Sequence, residues 1–267
     1  MQKLHKVRDR VLDGAGIAPG DVVLDVGCGD GLIGFGAMER IGTKGTVIFS
    51  DISAQLVDRC KGTAEELGVL DRSRFVVASA TNLEEIATGS VDALTARSVL
   101  IYVDEKALAF AEFFRVLRPA GRISIGEPIN QFTHPEPTGT FLGYDVSAVK
   151  DLADKLEAFF DREERPKITA MMDFNERDLM TLAEHTGFRD ISLDFEAHVK
   201  PVEPEAWARF LRTAGNPLSP TLEEAMTAAL TPAERNRFSA HLKPLVESGG
   251  GTERRAFAFV TARKPAA

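Results

Sequence analysis

The chain has 267 residues, 44% of them apolar, with 40 acidic against 32 basic side chains and a formal charge of −8. That length supplies one large or one-and-a-half domains with ample material for a core, and the apolar fraction is that of a globular protein. No apolar run approaches the roughly 20 residues that span a bilayer, the N-terminal MQKLHKVRDR lacks the apolar core of a secretory signal, and the acidic balance argues against a nucleic-acid surface. A cytoplasmic protein acting on small molecules is expected, with neither membrane nor nucleic acid as partner. Cys28 and Cys60 are the only cysteines, with neither a disulfide framework nor C-x-x-C spacing, and the five histidines are scattered. No metal site is expected from them.

Residues 3–12 place Leu4, Val7, Val11 and Leu12 at near-helical spacing and run into Asp13-Gly14-Ala15-Gly16, a C-cap and turn. The stretch 22–34, VVLDVGCGDGLIG, reads as a buried strand, a tight glycine turn and a helix start. Glycines there let the backbone take positive φ and approach a ligand, while the free N–H groups of the next helix face the same point. Residues 29–34 match G-x-G-x-x-G, and Asp51 stands where a ribose-binding acid belongs, so a dinucleotide is one reading. Asp25 opposes it, because a carboxylate at the strand end repels a pyrophosphate and welcomes an amino group.

The run LDVGCGDG, with its acid before the first glycine, resembles the first motif of the class I S-adenosylmethionine-dependent methyltransferases. The resemblance implies that Asp25, Gly27, Cys28 and Gly29 lie against the methionine part of S-adenosylmethionine. It also implies that Asp51, with Ile52 beside it, holds the ribose hydroxyls. An NAD-dependent oxidoreductase, and an S-adenosylmethionine-binding sensor or scaffold without turnover, are the alternatives.

Residues 32–41 read as a helix ended by Gly42, and 45–50 as a second buried strand that stops at Asp51, completing a βαβ unit. Ser53 is placed to cap a helix to Leu67 whose Leu56, Val57, Cys60 and Ala64 form one stripe. Residues 74–78 form the third strand, followed by Ser79 and Ala80. In the family this junction touches the adenine, often through an Asp, and here Ser79 offers a hydroxyl instead. The fourth strand, 91–96, leads to Arg97, at the place the resemblance assigns to the reactive sulfonium and the substrate entrance. T-A-R-S at this position departs from the Asn/Asp-Pro-Pro-aromatic motif of enzymes that methylate exocyclic amines, and it carries no Cys for cytosine C5 chemistry.

Asp104 is expected to cap a helix with Phe110, Phe113, Phe114 and Leu117 on one face, and EFFRVLRPAGR is similar to the family's next helix-to-strand turn, with Ala120 in place of a glycine. The fifth strand, 122–126, ends at Glu127-Pro128. Residues 129–172 read as an insertion covering the substrate. It opens as a loop of about 16 residues without structure of its own, carrying Phe132, His134, Phe141 and Tyr144, and a helix follows over 145–160. Asn175 starts a helix to His185, and 191–195 is the sixth strand. Residues 200–250 form a helical insertion, with helices over 203–229 and 232–247, that walls the pocket or makes a homodimer face. Trp207 there reads as core. Strand 255–261 closes the fold.

The expected architecture is α/β: one Rossmann-like domain over 1–267, doubly wound, with a mostly parallel seven-stranded sheet, an antiparallel last strand, and insertions at 129–172 and 200–250. The expected reaction moves a methyl group from S-adenosylmethionine, leaving S-adenosylhomocysteine, to a small hydrophobic or aromatic acceptor, at oxygen or carbon rather than nitrogen. Such an in-line displacement needs mainly proximity and orientation. A base is required only for an acceptor that arrives protonated, and the candidates are Glu127, Tyr102 and His134. Arg97, Phe132 and Tyr144 are the candidate acceptor contacts.

Overall fold

The computed structural model describes residues 2–163, 169–214 and 219–266. In chain order the first elements are α1 (Gln2–Gly14), β1 (Val22–Val26), α2 (Leu32–Met38), β2 (Thr46–Asp51), α3 (Ala54–Glu66), β3 (Ser73–Val77), β4 (Val91–Arg97), α4 (Lys106–Val116) and β5 (Leu117–Pro128). Then come α5 (Asn130–Thr133), β6 (Thr140–Phe141), β7 (Tyr144–Asp145), α6 (Lys150–Glu163), α7 (Thr169–Met172), α8 (Glu176–Thr186) and β8 (Arg189–Pro201). The chain closes with α9 (Trp207–Phe210), α10 (Leu222–Ala229), α11 (Pro232–Ser248) and β9 (Thr252–Arg263). It divides into two compact units, the first made of Met1–Pro128, Phe174–Glu196 and Phe257–Ala267, the second of Ile129–Asp173 and Ala197–Ala256.

Seven strands form one sheet in the order β3-β2-β1-β4-β5-β9-β8. β1 pairs in parallel with β2 and β4, β2 with β3, and β4 with β5, whereas β9 runs antiparallel to β5. This is the doubly wound α/β sheet predicted from the alternation of apolar runs and helical stripes. Chain order reverses at β1, with β2 on one side and β4 on the other, and ligands of open α/β sheets bind at the strand C-termini beside such a reversal. The central strands are buried along nearly their whole length, as parallel strands covered on both faces must be.

Close packing fixes α2 against β2. A Cβ on Gly34 would lie 2.3 Å from the Phe49 ring, so only glycine lets the helix come this near. Phe49 itself packs between Phe35 and Phe75, at centroid distances of 4.8 and 5.4 Å. α8 starts where its sequence says it should, with an Asn175–Asp178 capping box.

The second unit is built around its own apolar cluster, in which Phe141, Leu152, Leu156, Met226, Phe238 and Leu242 are buried. α10 and α11 each begin with a Thr/Glu capping box, at Thr221–Glu224 and Thr231–Glu234. Trp207 stacks on Phe210 at 5.7 Å as part of this cluster.

Several local expectations need correction. Asp104 does not cap α4; Glu105 is the cap residue, and no side chain bonds the helix end. The stretch after β5 is not structureless. The Glu136 carboxylate accepts the N–H groups of Leu142 and Gly143 at 2.9 and 2.8 Å and folds 136–145 around the β6–β7 hairpin. α6 begins only at Lys150, after Asp145 has accepted the Ser147 N–H in a turn. The continuous helix expected over 203–229 is interrupted. Pro220 lacks the N–H that a helix interior uses, and only Trp207–Phe210 and Leu222–Ala229 are helical among the described residues there. Positions 215–218 of that expected helix, and 164–168 of the insertion, lie outside the described residues.

Candidate cofactor site at the strand ends

β1 feeds directly into the turn Gly27-Cys28-Gly29-Asp30-Gly31, whose three glycines have φ of 64, 56 and 84°. Two of them are packed from within: a Cβ would meet Val99 at 2.4 Å on Gly27 and Phe35 at 2.4 Å on Gly31. At Gly29 a Cβ would meet nothing within 4 Å. The turn therefore presents bare backbone to open space at that one position, which is the feature a cradle for a ligand requires.

Asp51, at the end of β2, ties this turn to the next helix. One carboxylate oxygen accepts the Gly29 N–H at 3.0 Å and the other accepts the Ser53 N–H at 2.9 Å. Each oxygen keeps lone-pair capacity for a hydroxyl donor, so a vicinal diol beside Gly29 has a ready acceptor pair. The Cys28 N–H donates to the Ser50 carbonyl at 2.9 Å, and the Cys60 thiol to the Gly29 carbonyl at 3.4 Å. β2 and α3 thus hold the turn from one side.

Asp25 faces inward. It is 1% exposed, and its carboxylate accepts the Gly34 N–H at 2.9 Å and the Thr95 hydroxyl at 3.0 Å. Thr95 is its register partner across the β1–β4 pair. Burial pushes the Asp25 carboxyl up to about 7, although the Thr95 and Gly34 hydrogen bonds and the Arg97 charge pull it down.

A second buried carboxylate does the same for the loop after β4. Glu127 is fully buried at the end of β5 and accepts the N–H groups of Val99, Leu100 and Ile101 at 2.9, 3.0 and 3.4 Å. These bonds shape the turn that begins at Ser98, a non-glycine residue at φ 55°. Burial raises Glu127 to about 7, opposed by those bonds and by Arg97. Sequence reasoning placed Glu127 at the acceptor as a base, but its oxygens are already engaged with backbone.

Ser79 and Ala80 follow β3, Arg97 is the last residue of β4 and Tyr102 follows it, all at the same edge of the sheet as the glycine turn. The Ser79 hydroxyl pairs with that of Thr81 at 2.9 Å, Ala80 is buried and Arg97 is half-buried. Ile52, at 76%, and Tyr102, at 49%, are exposed. Burial and the Glu127 charge raise the Tyr102 phenol above its ordinary value, so it keeps its proton at neutral pH.

The remaining candidates belong to the second unit. His134 is exposed, Phe132 lies under the Arg254 guanidinium at 5.0 Å, and Tyr144 is 3% exposed, edge-on to Phe210 in the core. The Tyr144 ring is occupied with packing. Sequence reasoning missed the partners of the two buried carboxylates, Thr95 for Asp25 and the Val99, Leu100 and Ile101 N–H groups for Glu127, because strand register and the turn after β4 bring them together. A cavity of about 500 Å³ beside Arg8, Phe35 and Leu67 reaches Gly31, yet none of the predicted site residues lines it.

Comparison with known proteins gives this geometry its class. A sequence profile described as "Methyltransferase domain" matches residues 17–185, from before β1 through α8. The chain belongs to this family: it is a class I S-adenosylmethionine-dependent methyltransferase. It is 28% identical over 235 residues to a nocamycin O-methyltransferase of Saccharothrix syringae, covering 84% of this chain and 81% of that one. It is 25% identical to a ubiquinone/menaquinone biosynthesis C-methyltransferase of Haemophilus ducreyi, covering 71% and 73%. The crystal structure of a putative methyltransferase from Bacillus halodurans shares the fold, with a TM-score of 0.60 at 15% identity over 97% and 98% of the two chains. Among the described residues no helix is long and apolar enough to cross a membrane.

Proposed function

We propose that the glycine turn after β1 seats S-adenosylmethionine, with Asp51 accepting the ribose hydroxyls and the protein passing the methyl group to the oxygen or carbon of a small, hydrophobic or aromatic acceptor. The observation that carries the reading is the pairing of an open Gly29 with a carboxylate already bonded to that glycine's N–H. Asp25 supports the turn from below. Ser79 and Ala80 stand where the adenine contact is expected. Ile52 after β2, Val77 at the end of β3 and Tyr102 after β4 each leave apolar surface exposed at this edge, which supports an apolar acceptor. The names of the O- and C-methyltransferase relatives support the choice of acceptor atom.

S-adenosylmethionine supplies a methyl group on a positively charged leaving group, so the chain's own residues have mainly to bind and orient. Glu127 holds the turn after β4 in shape, and Arg97, whose charge acts on both buried carboxylates, is placed at the strand end to meet an acceptor's negative charge. Tyr102 keeps its phenolic proton and serves as a hydrogen-bonding group rather than a base.

Isothermal titration with S-adenosylmethionine, S-adenosylhomocysteine and NAD tests the seat. The first two are expected to bind and NAD not, and Asp51→Ala is expected to weaken binding by about 10- to 100-fold, the loss of charged hydrogen bonds worth roughly 1.5–3 kcal/mol. Undiminished binding by Asp51→Ala refutes the placement. An acceptor panel in which only polyamines or nucleic acids take up the methyl group refutes the substrate class.

A further inference from the structure

The two cysteines stand 32 positions apart and meet inside the first unit, Sγ to Sγ 3.8 Å, both buried. Methyl transfer as derived above uses neither thiol. Cys28 belongs to the glycine turn, whereas Cys60 sits on α3, the helix that starts just after Asp51. We propose that Cys28 and Cys60 form a reversible disulfide that switches the cofactor seat off under oxidation, an inference that rests on the reading of the glycine turn as that seat.

The geometry is close to what the bond needs. A disulfide spans about 2.05 Å, so the sulfurs must approach by roughly 1.8 Å, and Cys28 is flanked by glycines free to adjust. The hydrogen bond with Cys28 lowers the Cys60 thiol below its ordinary value, which favours Cys60 as the attacking thiol of the pair once it gives up its proton.

With a peroxide as oxidant, the Cys60 thiolate attacks one peroxide oxygen. The S–O bond forms, the O–O bond breaks, and the departing hydroxide takes a proton to leave as water. Cys28 then attacks the Cys60 sulfur. The S–S bond forms, the S–O bond breaks, and the Cys28 proton leaves with the second hydroxide as water. Two thiols are oxidised by two electrons and the peroxide is reduced to two waters.

Closure draws Cys28 toward α3. It must disturb the Cys28 N–H bond to Ser50 at 2.9 Å and the neighbouring Gly29 N–H bond to Asp51 at 3.0 Å, the contacts that shape the seat. Cys28 is 6% exposed and Cys60 0%, so the oxidant enters only when the turn opens. A ligand bound on the turn therefore slows the reaction, and by linkage the disulfide weakens the ligand.

The test treats reduced protein with hydrogen peroxide, maps peptides without reductant, and titrates S-adenosylhomocysteine before oxidation, after it, and after dithiothreitol. A linked Cys28–Cys60 peptide, at least tenfold weaker binding, recovery with dithiothreitol, and slower thiol loss under saturating S-adenosylhomocysteine are expected. Cys60→Ser, with Cys60→Ala as a second variant, is expected to give no linked peptide and to bind after peroxide with the same affinity that it shows before it. Absence of the linked peptide, or a linked protein that binds within twofold of the reduced one, overturns the switch. If reduced Asp51→Ala binds like wild type, the cofactor seat falls and the switch with it. A normal Asp51→Ala loss without a linked peptide overturns the switch alone.

Discussion

Replacing Glu127 with glutamine separates a structural carboxylate from a catalytic one. The side chain is fully buried, and burial lifts its pKa from 4.5 to about 7. Folded protein therefore keeps this proton up to near pH 7, whereas the unfolded chain gives it up near 4.5. The stability this group contributes is fully present below the unfolded value and is lost as pH rises through the folded one. Multiplying that difference by ~1.4 kcal/mol per pH unit gives about 3 kcal/mol of stability that wild type loses between pH 4 and 8 through Glu127.

Glutamine is uncharged at every pH and retains a carbonyl oxygen for the N–H groups of Val99 and Leu100, both of which share one Glu127 oxygen. Its amide nitrogen then faces the Ile101 N–H, the longest of the three bonds at 3.4 Å. At pH 5 the variant should thus fall within about 1 kcal/mol of wild type, and by pH 8.5 the difference should have moved about 2.5 kcal/mol in the variant's favour. Urea unfolding at both pH values measures this, followed by far-ultraviolet circular dichroism because the sole tryptophan, Trp207, reports on the second unit. Comparing the two proteins cancels the matching contribution of Asp25. A difference that stays constant with pH, or moves the other way, refutes the argument. A loss of kcat beyond a hundredfold at unchanged stability would restore Glu127 as a base.

Gly34→Ala pushes a methyl group to 2.3 Å from the Phe49 ring and should cost about 1–3 kcal/mol, visible as a lowered Tm. Gly29→Ala meets no atom but forces alanine to φ 56°, so its stability loss should stay near 1–2 kcal/mol, while S-adenosylhomocysteine affinity, read by titration, should fall well beyond that. Asp25→Asn keeps an acceptor for the Gly34 N–H and removes a carboxyl raised to about 7. Its stability relative to wild type should improve from pH 5 to 8.5, with NAD still failing to bind, and NAD binding would revive the dinucleotide reading.

Much of the fold is legible in the sequence because its signals are local. Val22 to Gly31 writes strand and turn in adjacent letters, Ser53 and Asn175 accept hydrogen bonds from the starts of the helices they announce, and apolar stripes mark the buried faces of α3 and α4. Two local readings fail where a nonlocal or steric term wins. Pro220 interrupts a stretch whose apolar periodicity looked helical, and the Glu136 carboxylate organises a hairpin in a segment rich in turn formers.

The sequence by itself determined the fold class, the family motif and the positions of the glycine turn and Asp51, since each is encoded within a few neighbouring residues. What only the tertiary structure decided is which way the chemically active side chains face. Asp25 turns inward because Thr95 lies opposite it in register, and Glu127 is closed off because the turn after β4 folds back onto β5. Tyr144 is drawn into the second unit's core, and Cys28 meets Cys60 only when α3 packs beside the turn. These pairings join residues up to 70 positions apart. Strand register and helix packing set them, and no spacing along the chain carries that information.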